Sequence, residues 1–189
     1  MKNLYVHIGF PRTATKTLQL SLFKKHNDLN YLGRFPDRVP SHNPTISKIL
    51  SYDEEEFTKN FDNLSREIKN LPLSLNKTNL ISDEFFILRD LLHQKTSIKV
   101  SIQRLKKLCE INNINLKIIY SVRNQTDIIK SLYTITFLSS LKTDYEKIIS
   151  AINGLETDTY TRNFLKGFDY YQLHNTLLEI VGSNNLSVI

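Results

Sequence analysis

Short apolar runs rich in β-branched residues alternate along this chain with longer segments whose apolar residues recur at helical spacing. That alternation predicts an α/β fold, a parallel sheet covered by helices on both faces in three α/β/α layers. No internal repeat, flexible linker or low-complexity tract interrupts the 189 residues, so a single domain over 1–189 is expected. A chain of this length buries roughly 70% of its unfolded surface, so its core needs neither disulfide nor metal. The lone Cys109 cannot form an internal disulfide and fits a reducing compartment.

The first element is a strand at Leu4-Tyr5-Val6-His7-Ile8, ended by Gly9. Residues 15–26 follow as a predicted helix that buries Leu18, Leu22 and Phe23. Gly33 to Pro44, with three prolines, reads as a loop or lid. Tyr52 to Leu71 reads as one helix: acidic residues open it, Phe57, Phe61, Leu64 and Ile68 give its stripe, and Pro72 stops it. "NLISDEF", residues 79–85, is a second parallel strand ending in two carboxylates. Ile98 to Asn112 is amphipathic, and "LKIIYSVR", residues 116–123, is the clearest strand. Asn124 caps the next helix, with Asp127 three residues on as in a capping box. Helices near 144–153 and 160–182 and a strand at "NLSVI" complete the order.

The net charge of +6 is spread among acidic runs such as Asp53-Glu54-Glu55-Glu56, rather than gathered into the aromatic-laced basic patch of a nucleic-acid reader. No nucleic-acid partner is expected. No apolar run reaches the ~18 residues of a membrane helix, and the N-terminus enters a strand rather than a signal peptide, so a cytoplasmic, non-spanning protein is expected.

Ligands of parallel α/β sheets collect at the carboxyl ends of the strands. Three predicted strand ends carry polar groups here: Arg12 to Thr17, Asp83-Glu84, and Arg123. The first joins a strand to a helix through Gly9-Phe10-Pro11-Arg12-Thr13-Ala14-Thr15-Lys16-Thr17. A helix start offers unpaired N–H groups and partial positive charge, and two cations with three hydroxyls make it an anion site. The bland alternative is a tight turn in which Thr13 or Thr15 only caps the helix. A Walker loop, G-x-x-x-x-G-K-[ST], is not met: Ala14 stands where the second Gly would be, and Lys16 is displaced by one residue.

The stretch Gly9 to Gln19 resembles the 5′-phosphosulfate loop of sulfotransferases that use 3′-phosphoadenosine 5′-phosphosulfate, which commonly reads G-x-P-[KR]-[ST]-G-[ST]-[ST]-[ST]-L. Ala14 departs from the Gly, so residue 14 must avoid φ > 0 or bear a penalty, and Lys16 occupies a hydroxyl position. A second motif agrees. Arg123 at a strand end, Ser131 eight residues on and Tyr133 beyond it resemble the family's 3′-phosphate motif, with Gln125 where Pro is frequent. An arginine fork suits phosphate oxygens, and Ser131 lies roughly 11 Å along the helix axis, within reach of the same group.

The resemblance implies a P-loop nucleoside triphosphate hydrolase-like fold and sulfuryl transfer to a hydroxyl or amine of a carbohydrate or lipid-linked acceptor, with no metal. It implies nucleotide contacts from Arg12, Thr13, Ala14, Thr15, Lys16, Thr17, Arg123 and Ser131. Arg12, joined by Lys16, would stabilise charge on the bridging oxygen, and Glu84 would be the general base, with Asp83 or a histidine (His42 and His93 among them) as alternatives. His7 and His174 read as packing residues. A final family segment beyond "NLSVI" is missing, which leaves open a non-catalytic nucleotide-binding module. A P-loop kinase or NTPase is the third reading, because Asp83 ends a strand that looks like Walker B and could hold Mg²⁺.

Overall fold

The computed structural model describes residues 1–10, 13–33, 43–87, 96–132, 146, 148, 150, 165 and 168–189. Among them five parallel strands form one sheet: β1 (Lys2–Gly9), β2 (Leu29–Tyr31), β3 (Thr78–Ser82), β4 (Ile114–Ser121) and β5 (Leu186–Val188), in the spatial order β2-β3-β1-β4-β5. The expected α/β class with a parallel sheet is what forms. The chain steps from β1 over β3 to β2, then reverses and moves through β3 and β4 to β5. The next strand after β1 therefore lies on one side of this pair and the next after β4 on the other, the switch point at which doubly wound sheets form a ligand crevice.

Strand alternation sorts the two faces. Leu4, Val6 and Ile8 stand beside Leu116, Ile118 and Tyr120 in register, all buried. α5 (Ile98–Ile111) packs on β4 and buries Ile102, Leu105, Leu108 and Cys109. Burial pushes the Cys109 thiol up to about 12, so it is an inert core group. The opposite face of β1 carries Tyr5, His7 and Gly9.

Several elements differ from expectation. The helix expected over 15–26 starts as α1 (Thr15–Thr17), then widens into a π-helix over Leu18–Phe23. The segment 52–71 splits into α3 (Glu54–Lys59) and α4 (Phe61–Lys69) at Asn60, whose side-chain amide donates to Glu56 O (2.8 Å). Such local side-chain bonds compete with the helix ladder. Strands β3 and β4 stop at Ser82 and Ser121, so Asp83-Glu84 and Val122-Arg123 lie in the turns that follow rather than inside strands. Strand β2 and helix α2 (Pro44–Ser51) were not expected. α6 (Gln125–Leu132) follows Asn124, whose Oδ1 accepts from Asp127 N–H (3.2 Å) as the cap predicts. α7 (Tyr170–Val181) realises the end of the helix expected over 160–182, and residues 146, 148 and 150 of the one before it are helical. Arg12, His42, His93, Tyr133 and the loop 34–42 lie outside the described residues.

Candidate functional site

The ends of β1 and β4 meet in register, Gly9 beside Ser121. Gly9 is required there: a Cβ would lie 2.3 Å from the Thr15 methyl and 2.8 Å from Ser121 Oγ. The turn after β1 folds back so closely that Thr13 Oγ1 donates to Phe10 O (2.7 Å) and lies 3.0 Å from Ser121 Oγ. The hydroxyl and the backbone N–H of Thr13 are thus both turned into the turn, the N–H donating to Phe10 O as well (3.2 Å), and the Thr15 methyl packs on Gly9, so N–H groups for a ligand would come from the residues after Thr13. Lys16 and Thr17 are exposed on α1. Ala14 takes φ 59, ψ 16, the left-handed conformation in which an L residue is strained by about 1–2 kcal/mol. Of the two options the sequence leaves for residue 14, the molecule adopts the strained one.

Arg123 sits two residues past β4, exposed, in the turn beside this one, and Ser131 is half-buried in α6. The Tyr170 hydroxyl donates to Arg123 O (2.7 Å), and Gln125 Nε2 donates to Phe168 O (2.7 Å). Phe168 and Tyr170 also pack on the buried Phe10, with ring centroids 5.8 and 4.8 Å away. The start of α7 therefore buttresses both turns. The sequence does not announce this clamp, because Phe10 fills the variable position of its motif, Tyr170 lies in none, and the two meet only in the fold. His174, expected to pack, places Nδ1 2.7 Å from the Tyr120 hydroxyl, so it is hydrogen-bonded as well.

A third group lies at the end of β3. Asp83 is 1% exposed: its N–H donates to His7 O (3.1 Å) and its Oδ1 accepts from Phe85 N–H (3.0 Å). Glu84 is half-buried, and its Oε2 accepts from Gln19 Nε2 (3.2 Å). The same amide nitrogen faces Ser82 Oγ (3.2 Å) and Ser82 O (3.3 Å). Ser82 Oγ lies 2.8 Å from His7 Nδ1, and burial lowers the His7 pKa from 6.5 to about 4, so the imidazole is neutral at ordinary pH. His7 was expected to be a satisfied core residue; its Nε2, like Gln19 Oε1, has no partner among the described residues. Gln19, the residue that ties α1's continuation to Glu84, was read only as the tail of a motif.

No family model matches the sequence, and no curated protein is similar to it. Among solved structures the fold is similar to the crystal structure of a sulfotransferase from Alicyclobacillus acidocaldarius, with a TM-score of 0.51 and 15% identity, covering 100% of this chain and 72% of that one. At that identity the likeness concerns the architecture. Among the described residues no helix is long and apolar enough to cross a membrane, and no three His, Cys, Asp or Glu side chains gather as a metal-holding group.

Proposed function

We propose that this chain is a sulfotransferase that moves a sulfuryl group from 3′-phosphoadenosine 5′-phosphosulfate to a hydroxyl or amine, on a carbohydrate or lipid-linked acceptor. The observation that carries the reading is the Thr13–Ser121 hydroxyl contact of 3.0 Å. It ties the start of the loop resembling a 5′-phosphosulfate site to the end of the strand that leads into Arg123. One nucleotide with phosphates at both ends of its ribose suits two such neighbouring turns. The likeness to a solved sulfotransferase supports the scaffold.

In this reading the N–H groups of residues 14–17, with Arg12, Lys16 and Thr17, hold the 5′ end, and Arg123 with Ser131 holds the 3′-phosphate. The acceptor oxygen forms a bond to sulfur while the bond from sulfur to the bridging oxygen breaks. The acceptor proton passes to Glu84, and the charge left on the nucleotide falls to Arg12 and Lys16. Glu84 suits the base better than Asp83, which is buried and bonded into its turn. The same burial argues against Asp83 as a Mg²⁺ ligand of a kinase.

Thermal shift measurements test the proposal. Product nucleotide, 3′-phosphoadenosine 5′-phosphate, at about a hundred times its dissociation constant should stabilise the fold by ~2.7 kcal/mol. Arg123→Ala should weaken that nucleotide tenfold or more, about the worth of a charged hydrogen bond, and leave adenosine 5′-phosphate nearly unchanged. Equal weakening of both, or a response to Mg·ATP alone, would overturn the reading. Glu84→Gln should keep nucleotide affinity while abolishing the slow release of sulfate from the donor to water. Tight nucleotide binding without sulfate release by the unaltered protein would leave a binding module instead.

A further inference from the structure

We infer that Gln19 is a positioning residue, whose side-chain amide fixes and keeps ionised the carboxylate of Glu84. The inference rests on the reading of Glu84 as base for its functional meaning, but the contact itself does not.

The orientation of the amide is forced. Ser82 O can only accept, and so can the ionised Glu84, so the group facing both at 3.3 and 3.2 Å must be the NH₂. With Gln19 donating to Ser82 Oγ, the Ser82 hydroxyl proton has His7 Nδ1, 2.8 Å away, as its acceptor. A neutral His7 protonated at Nε2 completes the chain. Gln19 is 1% exposed, and the π-helical turn over Leu18–Phe23 buries it alone among those six residues. Widening of a helix by one residue per turn is commonly found where a side chain must be re-aimed.

The arrangement is poor as a device for stability. Gln19 Oε1 and His7 Nε2 are buried without partners among the described residues, and three acceptors share the two hydrogens of one amide. Buried unpaired polar atoms in a native fold call for an explanation, and aiming a functional group is one. Besides Glu84, the ionisable groups tied to this cluster among the described residues include His7, through Ser82 Oγ, Asp83, whose N–H donates to His7 O, and Tyr31, whose hydroxyl donates to Ser82 O (3.4 Å).

The test is the titration of Glu84 itself, followed by carboxyl carbon NMR on nucleotide-free protein and assigned with Glu84→Gln. Gln19→Met keeps the length and bulk of the side chain and removes the donor. The Glu84 midpoint should then move up, because a hydrogen bond to the charged form is lost. By linkage the variant's stability deficit should be larger at neutral pH than below the Glu84 midpoint, where the carboxyl is neutral in both proteins. A bystander glutamine would leave the midpoint in place, and a purely structural one would lower the melting temperature while leaving the midpoint unchanged; either result overturns the inference. If Gln19→Met fails to fold, Gln19→Asn, which retains an amide but draws it back by one methylene, should give the same upward movement, and an unmoved midpoint in it counts against the proposal equally. Affinity for 3′-phosphoadenosine 5′-phosphate should stay within about twofold in both variants, as expected for a group engaged in chemistry rather than in holding the donor. Absence of nucleotide binding in the unaltered protein would sink the functional reading while the titration still decides the Gln19–Glu84 coupling.

Discussion

Ala14 and His7 each carry a local cost. Ala14 holds φ 59 at the point where the turn after β1 becomes a helix. Ala14→Gly should raise stability by about 1 kcal/mol, the left-handed penalty less the entropy that glycine adds to the unfolded chain; denaturant midpoints measure it, and an unchanged or lower midpoint would show the strain to be absent. His7 is buried neutral, its pKa lowered by burial from 6.5 to about 4. Above pH 6.5 neither folded nor unfolded state is charged there, and protonation adds no cost. Between pH 6.5 and about 4 the unfolded chain takes up a proton that the folded one refuses, so stability falls with falling pH and levels off below about 4. The full loss is on the order of 3 kcal/mol at about 1.4 kcal/mol per pH unit. His7→Asn retains a polar atom near Ser82 without titrating, so the difference between the two proteins should follow that window; a difference flat from pH 7 to 4 would contradict it.

Strand, turn and helix at the candidate site interlock through Gly9 and Thr15. Gly9→Ala should destabilise by roughly 1–3 kcal/mol, typical of overpacking. Much of that should return in Gly9→Ala with Thr15→Ser, which removes the methyl that the new Cβ would meet at 2.3 Å; strictly additive losses in chemical denaturation would show that the two do not touch. The sequence makes such long elements legible, because β1, β4 and α5 each repeat an apolar period several times. It hides the short and the interrupted ones. β2 has three residues, too few for a period. α2 begins at Pro44 after Asn43, whose Oδ1 accepts from Thr45 and Ile46 N–H, and this cap with proline at the first helical position is a readable signal inside a stretch that the prolines mark as loop. The break at Asn60 leaves the apolar spacing of Phe57, Phe61, Leu64 and Ile68 undisturbed, so periodicity alone cannot find it. The π-helical widening after Thr17 likewise carries no compositional mark.

Among the described residues the sheet order places β1 at the centre, β3 and β4 beside it, and β2 and β5 at the edges. Native-state hydrogen exchange should therefore be slowest for the amides of Val6, Ile8, Ile118 and Tyr120, and faster for Tyr31 and Ser187; edge amides as protected as central ones would contradict this. The candidate nucleotide contacts were legible as two motifs because each is local in sequence. Gln19, Ser82, His7 and the Phe10–Tyr170 packing were not, since each draws its meaning from residues brought close only by the sheet. The hydroxyl contact between Thr13 and Ser121 spans 108 positions of chain. Closing so large a loop is slow and is rewarded only when the distant partners meet. A chain still emerging from synthesis would hold the first turn without its neighbour, and the paired turns on which the proposed nucleotide site depends would form in one late event, when the fourth strand docks.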